Sequence, residues 1–204
     1  MPMLASAGIL LGHANAPRAP DEPNAWTSYV LVADCDAALA TAIHNGGTVL
    51  VPVASVPAGR FCILASPSGA VFGLWESDEV GAKATGAGSV HWVELNSTDM
   101  AADVTWLTAS FGYTTKESAS PRGPYVELLL NGVPCGGVVG AQNGAPSHWL
   151  TWIQVDHLDN TLSQVDVAGG KALSPVMDNP SVGRMAVVSD PTGAVFGVIQ
   201  PATA

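Results

Sequence analysis

One order of apolar and polar positions runs three times along the chain. A short β-prone strand leads into a helical stretch, glycines stop the helix, and further apolar strands follow. In the first complete copy, Tyr29-Val-Leu-Val reads as a strand, and Cys35–Asn45 as a helix presenting Leu39, Ala42 and Ile43 on one side. Gly46-Gly47 ends that helix, Val49-Leu-Val is a second strand, and Arg60–Leu64 runs into SPSGAVFGLW at 66–75. The last copy matches it closely: Trp26 with Trp149, Val32 with Val155, Asp36 with Asp159, Gly46-Gly47 with Gly169-Gly170. It closes on DPTGAVFGVI at 190–199.

The middle copy is more divergent. His91–Leu95 predicts a strand, and Asn96, Ser97, Thr98 or Asp99 a cap for a helix whose inward side carries Ala101, Val104, Leu107 and Phe111. Gly112-Tyr113 ends the helix; Lys116–Gly123 reads as a polar loop and Tyr125–Leu130 as a strand. Asn131-Gly132 between two apolar runs is a strong hairpin signal. Gly8–Gly12 aligns with Gly136–Gly140, so the chain opens on a strand resembling the tail of a fourth copy, followed by a Pro-rich loop at 14–25. The expected organisation is an N-terminal domain over 1–76, a linker at 77–88 and a C-terminal domain over 89–204. Units of roughly 50 residues fit a repeated supersecondary block.

Composition narrows the function. The chain has 204 residues, 48% hydrophobic and 12% charged, with a formal net charge of -10. That supports a sizeable core and argues against phosphate-directed nucleic-acid binding. Cys35, Cys62 and Cys135 lack metal-type spacing and read as buried thiols in a reducing, cytoplasmic compartment. The first 16 residues have no Lys or Arg before a short apolar run, unlike a secretory signal, and no stretch approaches a membrane span of ~20 apolar residues.

The repeated βαβββ pattern, Val-x-Asp before a helix, the glycine pair after it and the (D/S)-P-x-G-A-V-F-G motif together resemble the vicinal oxygen chelate superfamily. This is the group of glyoxalase I, extradiol dioxygenases and bleomycin-resistance proteins, and the chain is similar to its actinobacterial members with four units in two domains. The resemblance implies an α+β fold of incomplete, cleft-enclosing β-barrels with helices outside. It also implies where a metal would sit: a His or Gln early in a unit's first strand, and a Glu in its last. Those positions fall on Thr27, Trp92 and Leu150, and on Gly73 and Gly197. None is a competent ligand, so no metal and no other cofactor is expected.

Strand alternation turns one side of each first strand to the helix and the other to the cleft. The cleft side carries Thr27, Tyr29 and Leu31 in the first complete copy, Trp92, Glu94 and Asn96 in the middle one, and Leu150, Trp152 and Gln154 in the last. Trp92, Asn96, Trp152, Gln154 and Leu150 are the expected ligand-binding residues, with Glu94 and Tyr29 as catalytic candidates. Such a lining suits a hydrophobic or aromatic small molecule. The alternative is that the tryptophans simply fill the cleft as core. The expected function is metal-independent binding of such a metabolite or antibiotic by a homodimer. The alternatives are a metal-free enzyme using Glu94 as base on a glyoxal- or polyketide-type substrate, and a protein–protein interaction module. Arg60 and Arg184 recur at equivalent places, which favours a structural role.

Overall fold

The computed structural model describes residues 3–6, 9–13, 24–77 and 85–202. The Pro-rich 14–25 segment and the 77–88 linker lie largely outside the described residues. Two antiparallel strands, β1 (Met3–Ser6) and β2 (Ile9–His13), open the chain, so the strand expected near Gly8–Gly12 is present. Among the described residues the remainder is sheet-rich with three helices, an α+β architecture without a closed barrel, as the repeat pattern implies. The chain divides into two compact units, one of Thr27–Val80 and Val93–Trp149, the other of Met1–Trp26, Gly81–Trp92 and Leu150–Ala204.

The first of these units holds two repeats. One comprises β3 (Tyr29–Leu31), α1 (Cys35–His44), β4 (Thr48–Val56), β5 (Gly59–Ala65) and β6 (Val71–Glu76), in the sheet order β3-β6-β5-β4. The other comprises the larger part of β7 (Val90–Ser97), then α2 (Met100–Phe111), β8 (Thr114–Ser120), β9 (Gly123–Leu130) and β10 (Val133–Gly140), in the order β7-β10-β9-β8. In both, the first strand runs parallel to the last and the other pairs are antiparallel. Asn131 and Gly132 both have positive φ, 53° and 77°, and close the β9–β10 hairpin as their sequence requires.

The second unit repeats the layout. It contains β11 (His148–Gln154, from Leu150 onward), α3 (Leu158–Val167), β12 (Lys171–Ala172), β13 (Met177–Asn179), β14 (Gly183–Ser189) and β15 (Val195–Pro201). Its strands run β12-β14-β15-β11, with β13 also on β14 and β11 parallel to β15. Each helix of the two matching repeats ends on a glycine with φ near +100°, Gly46 at 109° and Gly169 at 86°. A side chain there would be strained.

Several expectations need correction. Lys116–Ser120 is not loop but most of strand β8, an edge strand of mostly exposed polar residues, paired to β9 from Thr114 to Ser120. Ile43 is 44% exposed, and Ala101 is also exposed. The other expected inward residues are inward: Leu39 and Ala42 on α1 and Leu107 on α2 are buried, and Val104 and Phe111 pack against the same core, with Cys35, Asp103 and Trp106 buried beside them. Trp106 ties the two helices together. Its indole N–H donates to the Ala42 carbonyl at 2.9 Å, and its ring packs edge-on against Phe72 and Phe111. Cys135 is exposed, because a bulge between Pro134 and Gly136 takes it out of the β9–β10 register. Cys35 and Cys62 are buried free thiols as expected, and burial pushes the Cys35 pKa up to about 11.

One buried carboxylate ties the 26–76 repeat to α2. In DPTGAVFGVI, the later copy of the turn-and-strand motif, Asp190 caps its own turn by accepting from the Thr192 and Ala194 amides at 2.8 and 3.1 Å. The earlier copy has Ser66 at that place. Asp103, fully buried on α2, supplies the missing carboxylate from outside: it accepts from the Ser68 amide at 3.2 Å, from the Ser68 hydroxyl, and from Ser97 Oγ at 2.6 Å. Buried and fully hydrogen-bonded, it is costly to remove. Asp103→Ala is expected to lower unfolding stability by about 2–4 kcal/mol, measured by urea denaturation. Asp159→Ala, which removes a surface ion pair to Arg184 from a 70% exposed side chain, serves as the control and should leave the urea midpoint nearly unchanged.

Candidate functional site

The site is built on the face of β7 and β10 away from α2. On the helix side, Leu95 joins Leu107, Leu128 and Val138 in the core. Alternation then turns Glu94 and Asn96 to the opposite face. Strand register extends that face sideways: Glu94 lies opposite Gly137, Gly137 opposite Glu127, and Glu127 opposite Lys116. The adjacent row runs Asn96, Val139, Tyr125 and Ser118.

Glu94 and Asn96 are 4% and 5% exposed, and Arg122 joins them. Its Nη2 donates to Glu94 Oε1 at 2.5 Å and its Nη1 to Asn96 Oδ1 at 3.1 Å. Arg122 keeps 30% of its side chain open to solvent. A guanidinium only donates, so the oxygen of the Asn96 amide must face it and the nitrogen must point away. That nitrogen, Nδ2, is buried and has no hydrogen-bond partner. Further along the face, Lys116 and Glu127 pair at 3.4 Å.

Arg122 is the residue that sequence reasoning missed, and the repeats show why it is unusual. In the two matching repeats the hairpin reads Gly59-Arg60 and Gly183-Arg184. Each arginine follows its glycine and pairs with the aspartate of the helix's first turn, Arg60 with Asp36 at 2.5 Å and Arg184 with Asp159 at 2.8 Å. Arg60 also reaches Glu76 at 3.1 Å, so these recurrent arginines are structural. In the middle repeat the order is reversed to Arg122-Gly123, and the guanidinium goes to Glu94 and Asn96 instead. This displaced arginine was the available signal. The polar run around it, read as loop, concealed it.

The other expected residues fall elsewhere. Tyr29 lies on the β3-β6-β5-β4 sheet, 39% exposed, with its ring edge-on to Trp75 at 6.0 Å. Leu150 and Trp152, each 4% exposed, pack with Ile199 in a cluster joined by Trp92, Met177, Met185 and Val187. Gln154 is half-buried, and its backbone pairs with Gly88 and Ser89. The expected set thus divides into a polar group, Glu94 with Asn96, and an apolar cluster of Leu150, Trp152 and Trp92.

The family-type metal site can be tested at its glutamate position. Gly73 lies opposite Tyr29, Gly197 opposite Trp152, and Gly137 opposite Glu94, so the three glycines are equivalent. At each, the space a Cβ would need is taken by an aromatic side chain: Tyr29 over Gly73, Trp152 over Gly197, and Tyr125 over Gly137. A carboxylate cannot be accommodated there with these rings in place. Among the described residues no group of three or more His, Cys, Asp or Glu side chains converges to hold a metal ion. The residues present do not fit the family's metal. Gly197→Ala is expected to cost at least about 2 kcal/mol and to shift tryptophan emission as Trp152 is displaced, read by urea denaturation followed by fluorescence.

No family model matches the chain. Comparison with curated proteins finds 34% identity over 209 residues with CFP32 of Mycobacterium tuberculosis, named as a candidate glyoxylase, covering 97% of this chain and 80% of that protein. It finds 31% identity over 127 residues with the anthracycline biosynthesis protein DnrV of Streptomyces peucetius, covering 54% of this chain and 46% of DnrV. Among solved structures, a Mn(II)-bound glyoxalase from Novosphingobium aromaticivorans superposes with a TM-score of 0.58 at 13% identity, covering 85% of this chain and 63% of that one. The 2,3-dioxygenase LapB from Pseudomonas sp. KL28 gives 0.56 at 14% identity, covering 86% and 71%. These last two likenesses concern the fold. With the repeated βαβββ layout and the mycobacterial match over nearly its whole length, the chain belongs to the glyoxalase/bleomycin resistance protein/dioxygenase superfamily, the vicinal oxygen chelate group.

Proposed function

We propose that this protein binds a hydrophobic or aromatic small molecule without the family's metal, as a sequestering or carrier protein. The observation that carries the reading is the aromatic side chain lying over the last-strand glycine of each repeat, Gly73, Gly137 and Gly197. It fills the place of the metal-holding carboxylate and, at Gly73 and Gly137, leaves aromatic surface there instead, from the exposed Tyr29 and the half-buried Tyr125. The Glu94–Arg122–Asn96 group adds a polar anchor beside it. Most ligand sites combine these two ingredients. The anthracycline biosynthesis named for the Streptomyces relatives supports a polycyclic aromatic ligand.

A homodimer is part of the same reading, supported by the exposed Tyr29, Leu31 and Val71 on the β3-β6-β5-β4 sheet. A cytoplasmic location is supported by the free cysteines. No described helix is long and apolar enough to cross a membrane.

The catalytic alternative retains one supporting observation, a buried carboxylate at Glu94 on the face away from the helix. Its Oε1 is held by Arg122 at 2.5 Å, which favours a fixed anchor over a base that must take up and release a proton. Titrating polycyclic aromatics against tryptophan fluorescence, with product analysis, separates the two. Saturable quenching without turnover is expected. Turnover abolished in Glu94→Gln would replace the binding reading with the enzyme, and a strictly monomeric mass in sedimentation would remove the dimer.

A further inference from the structure

We infer that the crevice along the outer edge of β3 is a further binding site, built for a small uncharged aromatic molecule of one or two rings. It is separate from the ring-covered glycines and does not depend on the reading above. β3 ends the β3-β6-β5-β4 sheet, with β6 on its inner side. Along its outer side lies a cavity of about 270 Å³, lined by residues 30–33, by Ala38 of α1, and by Ser110, Phe111, Tyr113 and Leu130 of the middle repeat. All of these residues belong to one compact unit. Leu31 and Leu130 are 50% and 46% exposed, so the crevice opens to solvent between apolar side chains. Its volume falls just below the roughly 300–1,000 Å³ of sites for drug-sized molecules, which suits one or two rings.

The lining selects the chemistry. None of its side chains is charged, so an ion entering would lose water with no opposite charge to offset the loss. The rings of Phe111 and Tyr113 lie 6.5 Å apart at 59°, and such tilted rings pack a further ring edge-on or offset. An aliphatic molecule of the same size gains none of that ring contact. Ser110 Oγ is already engaged, 3.2 Å from the Asn45 Nδ2 that donates to it, and the Val32 amide donates to the Trp75 carbonyl at 2.8 Å. The Tyr113 hydroxyl, by contrast, has no hydrogen-bond partner among the described residues. Burial pushes its pKa up to about 12, so it stays a neutral phenol that can donate or accept. It is the side-chain group left to meet one polar substituent on the ligand.

A proton–nitrogen NMR titration of the full chain with 2-naphthol, naphthalene, cyclohexanol and 2-naphthoate tests this, because it reads affinity and place together. 2-Naphthol is expected to bind saturably, with a dissociation constant of about 1 mM or tighter, shifting the amides of 31–33, 38, 113 and 130. Naphthalene should bind about fivefold more weakly for want of the hydrogen bond, and cyclohexanol and 2-naphthoate about tenfold or more weakly. Tyr113→Phe should bring 2-naphthol to the affinity of naphthalene and leave naphthalene unchanged. Ala38→Leu, a favourable helix residue at a half-buried position, should fill the crevice and abolish these shifts. Circular dichroism confirms that both variants are folded. No saturable shift at these amides, or binding there that survives Ala38→Leu, would overturn the site. Equal binding of cyclohexanol or 2-naphthoate would overturn the ligand class, and an unchanged 2-naphthol affinity in Tyr113→Phe the role of the hydroxyl. Shifts confined to the surroundings of Tyr29 and Tyr125 would overturn this site while supporting the ligand reading at the ring-covered glycines.

Discussion

An aromatic side chain pressed against a glycine in a neighbouring strand is the constraint on which this structure turns. The last strand of each repeat runs beside its first strand, and at Gly73 and Gly197 the ring of the residue opposite, Tyr29 or Trp152, uses the volume of the absent side chain. At Gly137 the ring comes from the other neighbouring strand, as Tyr125 on β9. The same steric relation is therefore reached by two routes. Where the first-strand residue is aromatic, it covers its own glycine. Where it is Glu94, the β9 tyrosine does so, and the carboxylate is free to pair with Arg122. The polar corner exists because the middle repeat takes the second route.

That difference separates scaffold from site. In the two matching repeats the hairpin arginine serves the fold by pairing with the first-turn aspartate of the helix. In the middle repeat the arginine lies one place before the hairpin glycine and is tied to the two polar residues of the first strand. Duplicated units make such departures visible, because each repeat is a control for the others. Asp103 is a second example: it supplies to the Ser66–Gly69 turn the carboxylate that the later copy provides for itself at Asp190.

Much of the fold was legible in the sequence because its signals are local and repeated. Glycines end the helices, Asn131-Gly132 closes a hairpin, and proline and glycine frame the turn before each Ala-Val-Phe-Gly run. What escaped notice depends on partners distant in sequence. β8 is polar on both sides and exposed along nearly its whole length, so no period of two marks it; only pairing with β9 makes it a strand. Apolar spacing found the inward sides of α1 and α2, but not the Trp106–Ala42 hydrogen bond that joins the two helices across 64 positions. For the site, alternation placed Glu94 and Asn96 on one face. It carried no information on Arg122, which arrives from a turn, nor on the packing of Leu150 and Trp152 with Ile199 and two methionines.

Independence from metal is the central claim, and ligand affinity before and after exhaustive chelation tests it most directly. The purified protein is titrated by calorimetry with a bound aromatic ligand, dialysed against a strong chelator, titrated again, and then supplied in turn with manganese, zinc, nickel and iron(II). The same dissociation constant at every stage is the expected result. Affinity lost on chelation and restored by one of these ions would contradict it, and would require a metal site built from residues other than the three ring-covered glycines.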